Sequence, residues 1–323
     1  MSLDYAGLLP VLQQLGCRVA GGCQIIMGES VMRQHYPRLD PDQPALLVGL
    51  RGDAWAHRLA EALLKVYSPE HELLIVSAGR EESLALGTLA GAKNGSDEIC
   101  LYVPPLPSPG AFSALQDVVA RLRAPDGCPW DRELTWAGMR PFLLEETYEL
   151  LAALDSGDAN KVAEEQGDLF LQLALQAEIA IEDGKFRSGD VLAGIVSKLI
   201  RRHPHVFGDV VVSGTEEVLA NWEAIKRTER AERGVKSSPL AGIPAGLPSL
   251  AQTAAYLDRV ARLREIETPD APWNELASAP SGVSAAMLGR ALFGLVAWAR
   301  ARGIDAESAL RQTNAEYAAE ISD

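Results

Sequence analysis

Between positions 111 and 233 the apolar residues recur every three or four positions. This spacing matches the 3.6 residues of a helical turn, whereas a half-buried strand would alternate strictly between apolar and polar residues. Glycine and proline residues divide the region into segments that predict helices near 115–122, 142–154 and 161–181 and after Ser188 and Thr215. We therefore expect an α-helical bundle that needs no strand.

The residues before this region follow a different pattern. Short apolar runs at 45–49 and 73–77 are typical of strands, and helical spacing at 54–67 lies between them, so the predicted arrangement is β-α-β. A third apolar run at 99–103 predicts another strand. It ends in a proline-rich segment at 104–110, which is typical of a linker and predicts the first domain boundary.

A second segment rich in proline and glycine, at 237–248, predicts a second linker. Helical spacing resumes at 250–264, at 285–302 and from residue 305. A chain of 323 residues is long enough for two or three domains. The predicted fold is α+β, with a small α/β domain over 1–110, a helical bundle over 111–236 and a smaller all-α region over 237–323.

The composition disfavours several classes of protein. The 30 Lys+Arg and 44 Asp+Glu give a net charge of −14, and a general nucleic-acid binder would need a local basic patch to overcome that field. The four cysteines form no C-x-x-C pair, which disfavours a zinc site or a disulfide framework and favours a reducing cytosol. With no signal-peptide pattern and no apolar stretch near about 20 residues, we expect a cytoplasmic protein that binds neither membrane nor nucleic acid directly.

Two of the predicted helices carry carboxylates within otherwise apolar sequence. Glu145, Glu146 and Glu149 lie within one turn of the first, because residues three or four positions apart share a helix face. On the next helix, Glu165 and Asp168 are three positions apart and precede a long apolar run. Each cluster alone is typical of a solvated acidic face, but two such helices joined by a short turn favour carboxylates that face each other.

No lysine or arginine lies within either acidic cluster. Carboxylates that face each other without a counter-charge repel and raise each other's pKa, and a divalent cation removes that repulsion. Ligation by carboxylate oxygens alone selects a hard ion, Mg²⁺ or Mn²⁺, rather than zinc. A di-iron site is the competing interpretation, but it needs Glu-x-x-His pairs, and all five histidines lie outside these helices.

Basic and aromatic residues follow at helical spacing. Lys198 and Arg202 are four positions apart at the end of one predicted helix, and Trp222 and Lys226 are four positions apart on the next. Near a cation site, such basic side chains suit phosphate oxygens and the indole suits stacking on a base. The alternatives are a helix-dipole partner for the basic pair and simple packing for Trp222.

The acidic motif and two flanking motifs resemble those of a known family. Glu145-Glu146-x-x-Glu149 followed by Glu165-x-x-Asp168 resembles the E-E-x-x-E…E-x-x-D signature of the all-α nucleoside triphosphate pyrophosphohydrolases. Flanking motifs over about 112–232 are similar to MazG in particular; they are Leu122-Arg123-x-Pro125-x-Gly127-Cys128-Pro129-Trp130-Asp131 and Lys198-Leu199-Ile200-Arg201-Arg202-His203-Pro204-His205-Val206-Phe207-Gly208.

This resemblance implies Mg²⁺-dependent hydrolysis of (d)NTPs between the α- and β-phosphates, which cleans the nucleotide pool and yields a nucleoside monophosphate and pyrophosphate. Mn²⁺ is expected to substitute. The implied Mg²⁺ ligands are Glu146, Glu149, Glu165 and Asp168, and Glu145 would orient or deprotonate the attacking water. The implied nucleotide-binding residues are Lys198, Arg202, Trp222 and Lys226. We also expect a homodimer, because a lone bundle of this kind seldom buries its apolar faces.

Both flanks resemble reduced forms of known modules. Gly22-Cys23-Gln24-Ile25-Ile26 and Leu101-Tyr102-Val103-Pro104-Pro105-Leu106 look like parts of the C-terminal half of a tetrapyrrole methylase. The glycine-rich half is missing, so we predict a structural or dimerising role without methyl transfer. The region from Gly242 is similar to the start of a second MazG repeat, but Met287-Leu288-Gly289-Arg290 stands where E-x-x-D is expected, which predicts lost metal binding there.

Two other functions stay open at this point. One is a narrower hydrolase of the same superfamily, specific for a single substrate such as dUTP or phosphoribosyl-ATP. The other is a non-catalytic regulatory protein that binds a nucleotide or a partner protein without turnover.

Overall fold

The structure is a computed structural model, and it describes residues 5–52, 54–77, 79–92, 98–232, 240, 242–262, 264–274 and 283–322. The chain divides into two compact units. Unit 1 comprises Met1–Ala153 and Asp158–Ser188, and unit 2 comprises Leu154–Gly157 and Gly189–Asp323. The domain boundaries predicted at residues 110 and 236 stay predictions.

Unit 1 begins with a five-stranded sheet. Its strands are β1 (Gln24–Met27), β2 (Ala45–Leu50), β3 (Glu72–Ser77), β4 (Arg80–Ala85) and β5 (Ile99–Val103), with helices α1 (Tyr5–Leu15), α2 (Gly28–Met32) and α3 (Trp55–Leu63). The strand order is β1-β2-β5-β3-β4. Only β1 and β2 are parallel, and the other three neighbouring pairs are antiparallel.

The predicted β-α-β arrangement is present, but its two strands are not neighbours in the sheet. Strands β2 and β3, which flank α3 in sequence, do not pair, because β5 lies between them and runs antiparallel to both. Three residues of β5, Ile99, Leu101 and Val103, are at most 3% exposed. Tyr102, on the other face of β5, is 5% exposed, so β5 lies at the centre of the sheet with both faces covered.

Both faces of β2 are buried. Ala45 and Leu47 pack in the cluster that contains α3, whereas Leu46 and Val48 pack with Leu8 and Leu15, the buried leucines of α1. This explains the continuous apolar run of β2 in place of strict alternation. The two edge strands escaped the sequence prediction because β1 has only four residues and β4 is largely polar and exposed.

Helices alone make up the described chain from 111 to 232. They are α4 (Phe112–Arg123), α5 (Pro129–Glu133), α6 (Arg140–Ser156), α7 (Ala159–Glu182), α8 (Ser188–Arg202), α9 (Pro204–Phe207) and α10 (Thr215–Glu232). This confirms the predicted helical pattern, and the short helices α5 and α9 are additions to it. Pro141 lies in the first turn of α6, where a missing N–H costs nothing.

The turn between α6 and α7 has the residues that such a turn requires. Gly157 adopts a φ of +69°, a left-handed conformation that favours glycine at a helix end. Asp158 then caps α7, because its carboxylate accepts hydrogen bonds from the backbone N–H groups of Asn160 at 3.0 Å and Lys161 at 3.4 Å. These caps set where the acidic segment of α7 begins after α6.

The motif at residues 122–131, which begins at the end of α4, forms a rigid turn in unit 1. The Arg123 guanidinium is 5% exposed, donates two 2.7 Å hydrogen bonds to the Glu182 carboxylate and also reaches the carbonyl oxygens of Asp131 and Leu134. A Cβ atom at Gly127 would lie 2.2 Å from the carbonyl oxygen of Leu122. Arg123 and Gly127 therefore hold the loop between α4 and α6 in place.

In its described residues after 242, unit 2 contains three helices, as the spacing predicts. They are α11 (Ser249–Ala261), α12 (Ala285–Arg300) and α13 (Ala306–Ser322). Leu257, Val296 and Ala297 form their buried core. In the described part of the chain, no helix combines the length and apolar character needed to cross a bilayer.

Candidate metal and nucleotide sites

Three carboxylates of unit 1 converge between α6 and α7. One carboxylate oxygen each from Glu146, Glu165 and Asp168 lies within 4.8 Å of the others, and all three side chains are partly buried. Among the described residues, no other three His, Cys, Asp or Glu side chains come this close together. The predicted helical spacing therefore does bring carboxylates of two helices to one place.

The other predicted acidic residues lie beside this group. Burial raises the pKa of Glu146, and the charges of Asp168, Glu149 and Glu145 raise it further, as does a hydrogen bond between the protonated Glu146 and Glu149. Partial burial likewise raises the pKa of Glu165, followed by the charges of Glu149, Asp168 and Glu164. The charge of Glu149 thus acts on Glu146 of its own helix and on Glu165 of α7. Glu145 and Glu164 are exposed.

The donor set fits a hard divalent cation. Within the described part of unit 1, no lysine or arginine forms an ion pair with any of these carboxylates, so their repulsion has no protein counter-charge. Closely placed carboxylate oxygens are the ligands that Mg²⁺ and Mn²⁺ prefer. The raised pKa values are the expected result when that charge is left uncompensated.

One further residue of this face escaped the sequence analysis. Gln172 follows Asp168 by four positions on α7 and is 7% exposed, and its Oε1 has no hydrogen-bond partner among the described residues. The available signal was that Gln172, one of two glutamines inside the otherwise apolar run 169–177, is in register with Glu165 and Asp168.

The predicted nucleotide-binding residues lie in unit 2, and two of them contact each other. The Lys226 ammonium lies 5.9 Å from the centroid of the Trp222 ring and 3.1 Å from Oε1 of Glu223. The centroid of the His203 ring lies 5.9 Å from that of the Trp222 ring. The Trp222 Nε1–H is buried and has no acceptor within the described chain. This indole is therefore bordered by a cation and an imidazole.

Arg202 is held by an acid that the sequence analysis did not single out. The Glu229 carboxylate, 11% exposed, accepts hydrogen bonds from Nη2 of Arg202 at 2.6 Å and from Nε of Arg201 at 2.8 Å. The hydrogen bonds from Arg202 and then from Arg201 lower the pKa of Glu229 to about 2. Arg201 is thus a second cation beside Arg202, whereas the Lys198 ammonium has no ion pair within the described residues.

The structure thus combines a helical region that clusters carboxylates in unit 1 with basic and aromatic side chains in unit 2. The MazG nucleotide pyrophosphohydrolase domain matches residues 135–207, which contain α6 to α9. A Thermotoga maritima protein named nucleoside triphosphate pyrophosphohydrolase/pyrophosphatase MazG is 33% identical over 215 residues, which cover 64% of this chain and 82% of that protein. The chain belongs to the MazG family.

Two other relatives are more similar over shorter stretches. The uncharacterized protein YabN of Bacillus subtilis is 42% identical over 158 residues, which cover 48% of this chain and 32% of that protein. The nucleoside triphosphate pyrophosphohydrolase of Escherichia coli is 44% identical over 150 residues, which cover 46% of this chain and 57% of that protein. The chain thus spans about a third and about half of the lengths of these two relatives.

Proposed function

We propose that this protein is a Mg²⁺-dependent nucleoside triphosphate pyrophosphohydrolase that cleaves (d)NTPs between the α- and β-phosphates. The observation that carries the proposal is the convergence of Glu146, Glu165 and Asp168 to within 4.8 Å without a basic partner in unit 1. The names of the E. coli and T. maritima relatives support the same activity. The products are a nucleoside monophosphate and pyrophosphate, and the role is removal of unwanted nucleotides from the cytoplasmic pool.

Glu146, Glu149, Glu165 and Asp168 hold the cation in this proposal. A bound Mg²⁺, or Mn²⁺ in its place, supplies neutralisation of phosphate charge and a lowered pKa for a bound water. Glu145 lies one residue from Glu146 and is exposed, so it is free to orient a water and accept its proton. The water oxygen forms a bond to a phosphorus atom of the P–O–P bridge as the bridging P–O bond breaks, so no covalent intermediate on a side chain is needed.

The basic residues of unit 2 bind the substrate in this proposal. Lys198, Arg202 and Lys226 contact phosphate oxygens, and Trp222 stacks on the base. Arg202 donates to Glu229 through Nε and Nη2, which leaves its Nη1 hydrogens for a phosphate. An indole can stack on any base, so Trp222 supports hydrolysis of several nucleotides rather than specificity for a single base.

We also propose a homodimer. In unit 1, Leu144, Phe170 and Leu173 are each more than half exposed on α6 and α7. In unit 2, α8 exposes six large apolar residues: Val191, Leu192, Ile195, Val196, Leu199 and Ile200. Apolar surface of this extent is typical of an interface with another chain, and a second copy covers it in this proposal. A monomeric mass by light scattering would overturn the dimer.

The test is a panel of NTPs incubated with the purified protein and Mg²⁺, with pyrophosphate and orthophosphate measured separately. We expect pyrophosphate from several NTPs, and its loss with EDTA or in E149A and E165Q. The matched control is E133Q, which removes one charge from an exposed carboxylate outside the cluster and keeps activity. Turnover of one nucleotide alone would favour the narrower hydrolase, and nucleotide binding without turnover would favour the regulatory protein.

A further inference from the structure

Gln172 is a buried polar side chain whose acceptor is unused. It lies in α7 and is 7% exposed, and its Oε1 accepts no hydrogen bond from the described residues. Neighbouring residues of α7, Ala174 and Leu175, belong to an apolar core cluster. An amide oxygen in such surroundings lowers stability unless something donates to it, so a leucine here would serve packing better.

The helix places Gln172 on the same face as two of the carboxylates. Glu165, Asp168 and Gln172 occupy positions i, i+3 and i+7 of α7 and therefore share one helix face. Long side chains on a helix lean toward its N-terminus, so we expect the amide of Gln172 to lean toward the turn that carries Asp168. Exposure falls along this face, from the partly buried Glu165 and Asp168 to the buried Gln172.

The chemistry of this face excludes a carboxylate as the partner of Gln172 Oε1. Ionised carboxylates only accept hydrogen bonds, and the amide oxygen is also an acceptor, so neither satisfies the other. A bound species that carries O–H groups satisfies both. Mg²⁺ retains several waters when carboxylates bind it, and each of those waters has hydrogens to donate.

We propose that Gln172 is a positioning residue of the cation site, whose Oε1 accepts a hydrogen bond from a water bound to the divalent cation held by Glu146, Glu165 and Asp168. The inference rests on the proposed function, because it needs that cation. A neutral amide suits this place, since a further carboxylate would add repulsion to a group that already lacks a counter-charge. The partnerless oxygen of Gln172 is then the acceptor for a water bound to the cation.

The test compares Q172L and Q172M with wild type and with Q166L. Both Gln172 variants replace the amide by an apolar side chain of similar size, and two variants guard against a single one that packs badly. Gln166 is exposed on the opposite side of the same helix, so Q166L controls for loss of a glutamine from α7. Mg²⁺ binding is measured by calorimetry, and thermal unfolding is measured with EDTA and with Mg²⁺.

We expect both Gln172 variants to unfold at the wild-type temperature or above it in EDTA, because the orphaned oxygen is gone. Their Mg²⁺ affinity falls by about tenfold or more, the usual effect of losing a group that hydrogen-bonds a metal ligand. Q166L binds Mg²⁺ as wild type does. A purely structural role for Gln172 predicts instead that metal affinity stays unchanged.

Three results would overturn the inference, and they have different meanings. Wild-type affinity in Q172L and Q172M removes Gln172 from the cation site but leaves the proposed function intact. Unchanged affinity together with an altered mass in solution assigns the amide to a contact between copies of the chain. Absence of Mg²⁺ binding by the wild-type protein removes the cation site itself, and the proposed function with it.

Discussion

The Glu229 carboxylate accepts a 2.6 Å hydrogen bond from Nη2 of Arg202 and is 11% exposed. A second arginine, Arg201, donates to the same carboxylate from Nε at 2.8 Å. Two guanidinium groups around one carboxylate leave a net positive charge at the end of α8. The packing of these two arginines in unit 2 therefore depends on Glu229.

The first prediction concerns acid stability. Hydrogen bonds from Arg202 and Arg201 hold the pKa of Glu229 at about 2, below its ordinary value near 4.5. A lowered folded-state pKa gives stability that is complete above the unfolded value and is lost as the pH falls from about 4.5 toward 2. E229Q should lose roughly 1–2 kcal/mol at pH 7 and less at pH 3. Denaturant unfolding at both pH values checks this.

The control for that experiment is E232Q on the same helix, since Glu232 is exposed and has no ion pair within the described chain. It should follow the wild-type pH profile. A constant difference between E229Q and wild type from pH 7 to pH 3 would contradict the assigned role of the ion pair.

The second prediction concerns charge repulsion in the proposed cation site. Glu165 lies among carboxylates without a counter-charge in unit 1, so E165Q should unfold at a higher temperature than wild type in EDTA. The same variant should lose the stabilisation that Mg²⁺ gives wild type. Thermal unfolding with EDTA and with Mg²⁺ measures both effects, and E133Q should behave as wild type does. Lower stability of E165Q in EDTA would refute the repulsion argument.

The third prediction concerns Arg123, the buried arginine at the end of α4 that pairs with Glu182 of α7. Arg123 is 5% exposed and bonds to Glu182 and to two carbonyl oxygens, so lysine cannot replace its planar set of donors. R123K should cost about 2–4 kcal/mol in the free energy of unfolding. Arg121 forms an exposed ion pair with Asp126, and R121K should cost less than about 0.5 kcal/mol. If R123K and R121K lose the same free energy of unfolding, the burial of Arg123 does not contribute to stability.

The fourth prediction contrasts two glycines. At Gly127 a Cβ atom would meet backbone oxygens at 2.2 and 2.6 Å, so the chain must move and G127A should lose more than about 2 kcal/mol. Gly289 lies inside α12 with nothing within 4 Å of an added Cβ, and G289A should gain about 0.5–1 kcal/mol. Denaturant unfolding of both variants decides, and a stable G127A would show that the turn after α4 is not tightly fixed.

The helices and the acidic faces followed from the sequence because each depends on contacts within one element. Glu146 and Glu149 share a face through helical register alone, and Gly157 and Gly184 end their helices through the φ that glycine permits. The apolar strands β2, β3 and β5 were likewise predicted from local runs. Spacing in a single helix or strand is set by covalent geometry, so no tertiary information was needed.

What the tertiary structure alone decided concerns pairs of elements. The sequence could not tell that β5 enters between β2 and β3, because several strand orders bury the same residues. Nor could it tell that Glu229 belongs to Arg201 and Arg202, 27 or more positions away, or that the Gln172 oxygen is buried without a donor. Contacts between residues distant in sequence depend on how helices and strands pack against each other. Sequences with the same local pattern can differ in that packing, so the local pattern does not determine these contacts.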